Sequence, residues 1–396
     1  MWRLRGFEVK WLFVWAMLAV FLAHTRAAQP HSGFPVNIVA GPRPQLVMAD
    51  GRGHLLYELH VTNVAPIPIE VVALEIFGDD GAALSKYGTE ELRKDLVPAE
   101  NLLVSVAPTD RGDKPGQIGD GHEAVIFVDL TLEAGARAPM ELRHRFTFDI
   151  KGNAALERTV NGPVVAVVQE PIPVLHAPLK GSGWIAFNAL GAYDHRRAYD
   201  PVDGRLRIAQ RFAIDWMRLG ADGRAYHDDT KSNTNFYGYG AEVLAVAEAR
   251  VSDLRDGVPD NGGATERSSR VVTVDSAVGN YVILDLGGGR FALYAHLQPG
   301  SLKVKVGDHV NVGQPLALLG NSGNSDEPHL HFHLTEGNSP LGSEGVPYEL
   351  ERFTQLGIVS DEDALEHGQA WQAQAQERPV VRQREFPINK AVVNFP

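Results

Sequence analysis

Not one of the 396 residues is cysteine, so disulfides, thiol nucleophiles and cysteine zinc sites are all excluded. Any metal must rest on His, Asp or Glu. The chain also lacks an apolar run of membrane-spanning length. Its longest, Trp11 to Ala23, stops at His24, short of the roughly 20 residues a spanning helix needs. Preceded by Arg3, Arg5 and Lys10, and followed by small residues around Thr25-Arg26-Ala27, that run reads as a cleaved signal peptide over residues 1–27. Contact with a membrane is then transient, and the mature protein is expected to be periplasmic or extracellular. Basic charge is scarce as well: 37 Lys and Arg face 49 Asp and Glu, a net charge of −12. Residues 1–27 carry four basic side chains and one acid, so their removal takes the charge to −15. A chain this acidic is poorly suited to nucleic acid or anionic lipid.

Long amphipathic helices are missing too, apart from a short candidate at Glu90–Asp95. In their place, apolar residues alternate with period two from about Pro35 to Val168. Tyr57, Leu59 and Val61 form one such set; Val72, Leu74 and Ile76, then Ile126, Val128, Leu130 and Leu132, then Phe146, Phe148 and Ile150 form others. Each set places apolar side chains on one face of a strand. Turn-rich stretches such as Gly78-Asp79-Asp80-Gly81 separate them. The fold class is therefore all-β, with an immunoglobulin-like β-sandwich expected over 31–168. His54, His60, His122 and His144 are scattered through it as solvated or packed strand residues, which leaves a binding or spacing role.

Periodicity stops at Gln169-Glu170-Pro171-Ile172-Pro173, whose two prolines favour extended backbone, and 169–180 reads as a linker between separable halves. Beyond it the composition turns glycine-rich. Short strands alternate with tight turns: Val243–Val246, Val271–Val274, Tyr281–Leu286, Phe291–His296, Pro315–Leu319 and His329–Leu334. A second β domain is expected over 181–355, followed by a tail over 356–396 with a helical stretch at Asp361–Gln376 and then a Pro-containing extended segment able to pack back on the body. The glycine turns Gly287–Gly289 and Gly320–Gly323 are not phosphate loops, because neither opens a helix nor ends in Lys-Ser/Thr.

The strongest local signal is Pro328-His329-Leu330-His331-Phe332-His333-Leu334. On a strand, His329, His331 and His333 share one face, and Leu330, Phe332 and Leu334 the other. Such a strand offers imidazoles to a cleft while its opposite face packs into a core, although a solvated edge would give the same pattern. Around it stand Gly279-Asn280-Tyr281-Val282-Ile283-Leu284-Asp285, Leu293-Tyr294-Ala295-His296-Leu297, Lys305-Val306-Gly307-Asp308-His309-Val310 and Gly320-Asn321-Ser322-Gly323-Asn324-Ser325.

In this order and spacing, these segments resemble the lysostaphin-type, LytM-like zinc metallopeptidases that cut peptidoglycan peptides, over about Ile208 to Glu336. The resemblance implies a barrel-like β-sheet peptidase domain, a Zn2+ cofactor and peptidoglycan peptides as partner. It carries the family's Asp ligand onto Asp215 and its H-x-H ligand onto His331. The family's two unligated histidines fall on His296 and His329, placed to move protons.

The family's first zinc-binding His has no counterpart here. The stretch reads Gln210-Arg211-Phe212-Ala213-Ile214-Asp215, with Arg211 at the ligand position. An arginine stays charged and cannot ligate. If Arg211 shares a strand face with Asp215, its guanidinium is expected to pair with that carboxylate and take the metal's place. Three readings follow. In the first, another side chain completes the site, with His195 of Asp194-His195-Arg196-Arg197 as the leading donor; His227, beside Asp228 and Asp229, and His333 are further donors whose plain reading is a solvated loop or strand histidine. The chain is then an exported zinc metalloendopeptidase. In the second, a metal-free degenerate domain binds peptidoglycan or activates another cell-wall hydrolase. In the third, the domain is only a structural adaptor, which the cost of keeping unused buried polar groups disfavours.

Overall fold

The computed structural model describes residues 33–98, 117–150, 158–264, 273–374 and 378–396, so the expected signal peptide lies outside the described residues. The chain is mostly β, with 46% strand against 7% helix.

In the N-terminal half, two antiparallel sheets share one apolar cluster. The first runs Val36–Ala40, Arg52–Asn63, Glu123–Leu132, Leu96–Pro98; the second runs Thr159–Asn161, Glu141–Asp149, Ile69–Phe77, Ala83–Gly88. Period-two patterning explains which side chains meet. Leu55, Tyr57, Leu59 and Val61 of one strand, with Ile126, Val128 and Leu130 of its neighbour, point inward against Phe146 and Phe148 of the opposite sheet. The candidate helix is present as Thr89–Asp95, burying Leu92.

The same pleat gives the first sheet a second working face. Leu56, Glu58 and His60 point away from that cluster, and Leu56 joins the apolar core of the C-terminal half. Val125 and Phe127 likewise pack against Tyr199 and Ile208. The two halves therefore share a buried boundary, which the patterning of either half alone does not announce.

The C-terminal half is organised by one sheet. Its order is Val174–Leu175, Glu349–Ile358, Ala391–Phe395, Gly181–Phe187, Ile214–Arg218, Leu330–Thr335, Phe291–Leu297, Asn280–Asp285, Ala249–Arg255, His309–Val310, with Val380–Glu385 beside Glu349–Ile358. Two expectations need correction. The linker 169–180 contributes Val174–Leu175, paired in parallel with Glu349 and Leu350. The tail is part of the sheet: Ala391–Phe395 inserts between Gly181–Phe187 and Glu349–Ile358, burying Val392 and Val393. Among the described residues of the tail's expected helix, Glu362–Glu366 forms, capped at its start by Asp361 and ending before Gly368 in the left-handed region. Val274, expected in a strand, opens the short helix Val274–Ala277, capped by Thr273.

Candidate functional site

Three adjacent strands, Ile214–Arg218, Leu330–Thr335 and Phe291–Leu297, carry the site. Leu330, Phe332 and Leu334 enter the core with Ile214 and Trp216, so His331, His333 and Asp215 must face the other way. Register then brings chemistry together: Asp215 stands directly opposite His331 in the antiparallel pair. Asp215 Oδ1 lies 2.8 Å from His331 Nδ1.

His195, on the short helix Asp194–Arg197, folds over this pair and sets its Nε2 3.2 Å from Asp215 Oδ2. The donor atoms of His195, Asp215 and His331 all lie within 4.8 Å of one another. His329 adds an Nε2 3.5 Å from Asp215 Oδ1. Asn188, which sequence reasoning missed, donates from Nδ2 to Asp215 Oδ2 at 2.8 Å. It follows strand Gly181–Phe187 with φ of 56°, a conformation asparagine tolerates better than most residues. That tolerance is its only signal in the sequence.

His296 reaches the site by a departure from pleating. Tyr294 faces the core, so simple alternation would bury His296 beside it. The register slips between Asn280 and Val282 on the neighbouring strand, and His296 adopts φ of 60°. This bulge re-aims the imidazole to the cleft side, 4.7 Å from the His329 ring. Gly279 allows the partner loop to approach: an added Cβ there would meet the Ser322 backbone at 2.5 Å. The Ser322 carbonyl accepts from His296 Nδ1 at 2.8 Å. Asp260 and Asn261 tie the polar loop that precedes residue 265 onto the same segment, through Asn321 N at 2.8 Å and the Asn321, Gly323 and Ser325 carbonyls.

Carbonyls fix the tautomers, because a carbonyl oxygen can only accept. His296 and His329 each donate from Nδ1, to Ser322 and Glu327, which leaves both Nε2 atoms as bases. His333 donates from Nε2 to the Pro340 carbonyl at 3.2 Å, so its Nδ1 accepts from His331 Nε2 at 2.9 Å. His331 Nδ1 faces Asp215 Oδ1 at 2.8 Å, where an ionised carboxylate can only accept, so a metal bound between them would take the place of the Nδ1 proton while His333 holds the other proton on Nε2. His333 is thus behind the trio and outside it. His227 is remote, exposed and paired with Asp228 at 2.9 Å.

Burial opposes the charge on Asp215, yet His195 and His329 hold its carboxyl well below the usual range. Burial alone would depress His195, but Asp215 raises it. Burial depresses His331, His333 and His296, which favours neutral imidazoles.

Arg211 does not pair with Asp215. The strand begins only at Ile214, and Arg211 sits in the preceding turn, where Ala213 N bonds the Gln210 carbonyl at 3.0 Å. Its guanidinium turns instead to Glu58 on the N-terminal sheet, at 3.1 and 2.9 Å, and to Glu344 at 2.9 Å. The cleft is left to His195. Two imidazoles and a carboxylate are a zinc-type donor set, and a tetrahedral ion with ligands at about 2.0–2.2 Å would separate them by roughly 3.4 Å. The observed 2.8 and 3.2 Å separations fit with small adjustment.

Residues 234–342 match the family described as Peptidase family M23. The match contains His296, His329 and His331; His195 and Asp215 precede it. A stretch of 65 residues is 37% identical to the peptidoglycan DD-endopeptidase ShyA of Vibrio cholerae, covering 16% of this chain and 15% of that protein. Another of 67 residues is 39% identical to the murein hydrolase activator EnvC of Escherichia coli, covering 16% of each. The match therefore spans about one-sixth of the length of these relatives. Among solved structures, the chain is similar to the catalytic domain of the antimicrobial peptidase lysostaphin from Staphylococcus simulans, at 19% identity and a TM-score of 0.22, over 42% of this chain and 84% of that one. It is also similar to the catalytic domain of the prophage-encoded M23 protein EnpA from Enterococcus faecalis, at 19% identity and a TM-score of 0.26, over 43% and 92%.

Proposed function

Because residues 234–342 form a peptidase family M23 domain, we propose that this chain is an exported zinc metalloendopeptidase that hydrolyses peptide bonds in peptidoglycan. In this reading His195, Asp215 and His331 hold the metal, and His296 and His329 handle protons. The N-terminal sheet pair is an immunoglobulin-like module, and the leader over 1–27 directs export to the periplasm or beyond. The observation that carries the reading is the trio itself: a histidine from outside the matched segment supplies the donor that Arg211 cannot.

Zinc, when bound, supplies a Lewis acid for the scissile carbonyl and brings the pKa of water down to about 7. The protein's own part follows from its tautomers. His329 Nε2 and His296 Nε2 are lone pairs on rings fixed from behind by carbonyls, so either can take a proton at the cleft and return it to the leaving amine. Asn188 orients Asp215 by occupying one side of Oδ2. His333 and Pro340 keep the His331 proton on Nε2.

One observation favours a second reading, in which a metal-free domain activates another hydrolase: an arginine stands at the family's ligand position. Metal analysis decides between them. The purified chain should carry about one zinc and release peptides from isolated peptidoglycan, with both lost in His195→Ala. A wild-type protein that neither binds zinc nor cleaves would overturn the peptidase reading and leave the metal-free one, in which the domain binds peptidoglycan or activates another hydrolase.

A further inference from the structure

His195 is held from an unexpected quarter. Its helix, Asp194–Arg197, lies against the outward face of the first N-terminal sheet, and the two arginines after His195 are anchored on that half, Arg196 on the sheet and Arg197 on the end of helix Thr89–Asp95 beside it. Arg196 is buried; its guanidinium donates to the Val128 carbonyl and, at 3.5 Å, to that of Tyr57, the residue paired with Val128 across the sheet. Arg197 donates to the Lys94 carbonyl at 2.7 Å and reaches Asp95 at 3.4 Å, with its guanidinium 5.6 Å from the Phe127 ring centre. Two residues further on, the Tyr199 hydroxyl meets His60 Nε2 at 3.2 Å, and its ring packs with Val125 and Phe127.

The same sheet also fixes Arg211. Glu58 lies between Tyr57 and Leu59, which point into the N-terminal core, so pleating aims its carboxylate at the C-terminal half. One face thus holds the arginine out of the cleft and holds the substitute histidine in it. A four-residue helix has too few internal bonds to fix an imidazole by itself. Neither Arg196 nor Arg197 touches Asp215, so both act only through His195.

We propose that the N-terminal half is a structural part of the metal centre, and that Arg196 and Arg197 are positioning residues that set His195 for metal binding, Arg196 by docking on the first sheet and Arg197 by docking on the end of helix Thr89–Asp95. This rests on the zinc-site reading above. Loss of outer-shell support around a metal ligand weakens binding by about 10–100-fold.

The test uses the full chain with residues 28–396 intact. Zinc affinity is measured by competition with a chromogenic chelator, and the visible spectrum of the Co2+-loaded protein is recorded for wild type, His195→Ala, Arg197→Ala, Arg196→Met and Arg196→Lys. The expected result is a 10–100-fold weaker zinc affinity in Arg197→Ala and Arg196→Met, with Co2+ spectra shifted toward that of His195→Ala and partial recovery in Arg196→Lys. A general loss of stability would not move the spectrum in that direction. Should Arg196→Met fail to fold, Arg197, whose side chain is 23% exposed, carries the test alone. Folded Arg197→Ala with wild-type affinity and a wild-type spectrum overturns this inference while leaving the zinc site standing. Wild-type protein without zinc overturns the underlying reading, and this one with it.

Discussion

The Arg211 guanidinium closes on the Glu58 carboxylate through two bonds, Nε to Oε1 at 3.1 Å and Nη2 to Oε2 at 2.9 Å, with both side chains buried. Breaking a buried pair from one side leaves an uncompensated charge and costs about 3–5 kcal/mol. Arg211→Ala leaves two carboxylates, Glu58 and Glu344, facing each other, and is expected to reach that range. Glu58→Ala should cost less, because Glu344 still neutralises the guanidinium. Arg211→His should also be destabilising and should gain no metal, since that side chain points at Glu58 and away from Asp215. Urea unfolding of the three variants checks this. Losses below about 1 kcal/mol for Arg211→Ala would mean that the boundary between the halves is not stabilised there.

The cleft predicts a division of labour between metal and protons. His296→Ala and His329→Ala should retain zinc while lowering the hydrolysis rate by about 10²–10⁴-fold, the usual worth of general acid–base catalysis. Single-turnover rates together with metal content make the comparison. A variant that loses zinc along with activity would place that histidine among the ligands.

The end of the chain should be indispensable. Strand Ala391–Phe395 lies inside the sheet, and the burial of Val392, Val393 and Phe395 is worth about 1.5–3 kcal/mol each, comparable in sum to the whole stability of a domain. Truncation after Asn389 is therefore expected to prevent folding. A truncated protein with native circular dichroism and a cooperative melt would contradict the sheet order.

The alternation of His329, Leu330, His331, Phe332, His333 and Leu334 was legible because period-two patterning is local and survives in the fold. Asp215 and His331 could be named as partners only by family resemblance, since register is a property of two strands. His296 escaped periodicity because one left-handed residue turns it over. Arg211 was misplaced because the strand starts three residues later than its spacing to Asp215 suggests, and because its partner Glu58 lies 153 residues away. No local pattern carries such a contact. The tail's central place in the sheet was not legible for a similar reason: a five-residue strand is too short to distinguish a central position from an edge packed on the body.

Acid should weaken the N-terminal half through His144. The ring is buried, donates from Nδ1 to the Pro163 carbonyl at 2.7 Å and meets the Tyr57 hydroxyl at Nε2, 2.8 Å away. Burial pushes its pKa down from 6.5 to about 4 in the folded state, against a smaller opposing pull from that carbonyl. Between those values the unfolded chain binds a proton that the folded chain refuses, so stability rises with pH across the window. The contribution is fully present above pH 6.5 and lost as pH falls through 4; a shift of this size corresponds to about 3 kcal/mol. His144→Gln has no proton to gain. The stability difference between wild type and His144→Gln, measured by urea unfolding at pH 7.5, 5.5 and 4, should therefore move by about 3 kcal/mol against wild type as pH falls, while carboxylates common to both proteins cancel. A difference independent of pH would mean that His144 titrates alike in the folded and unfolded chains.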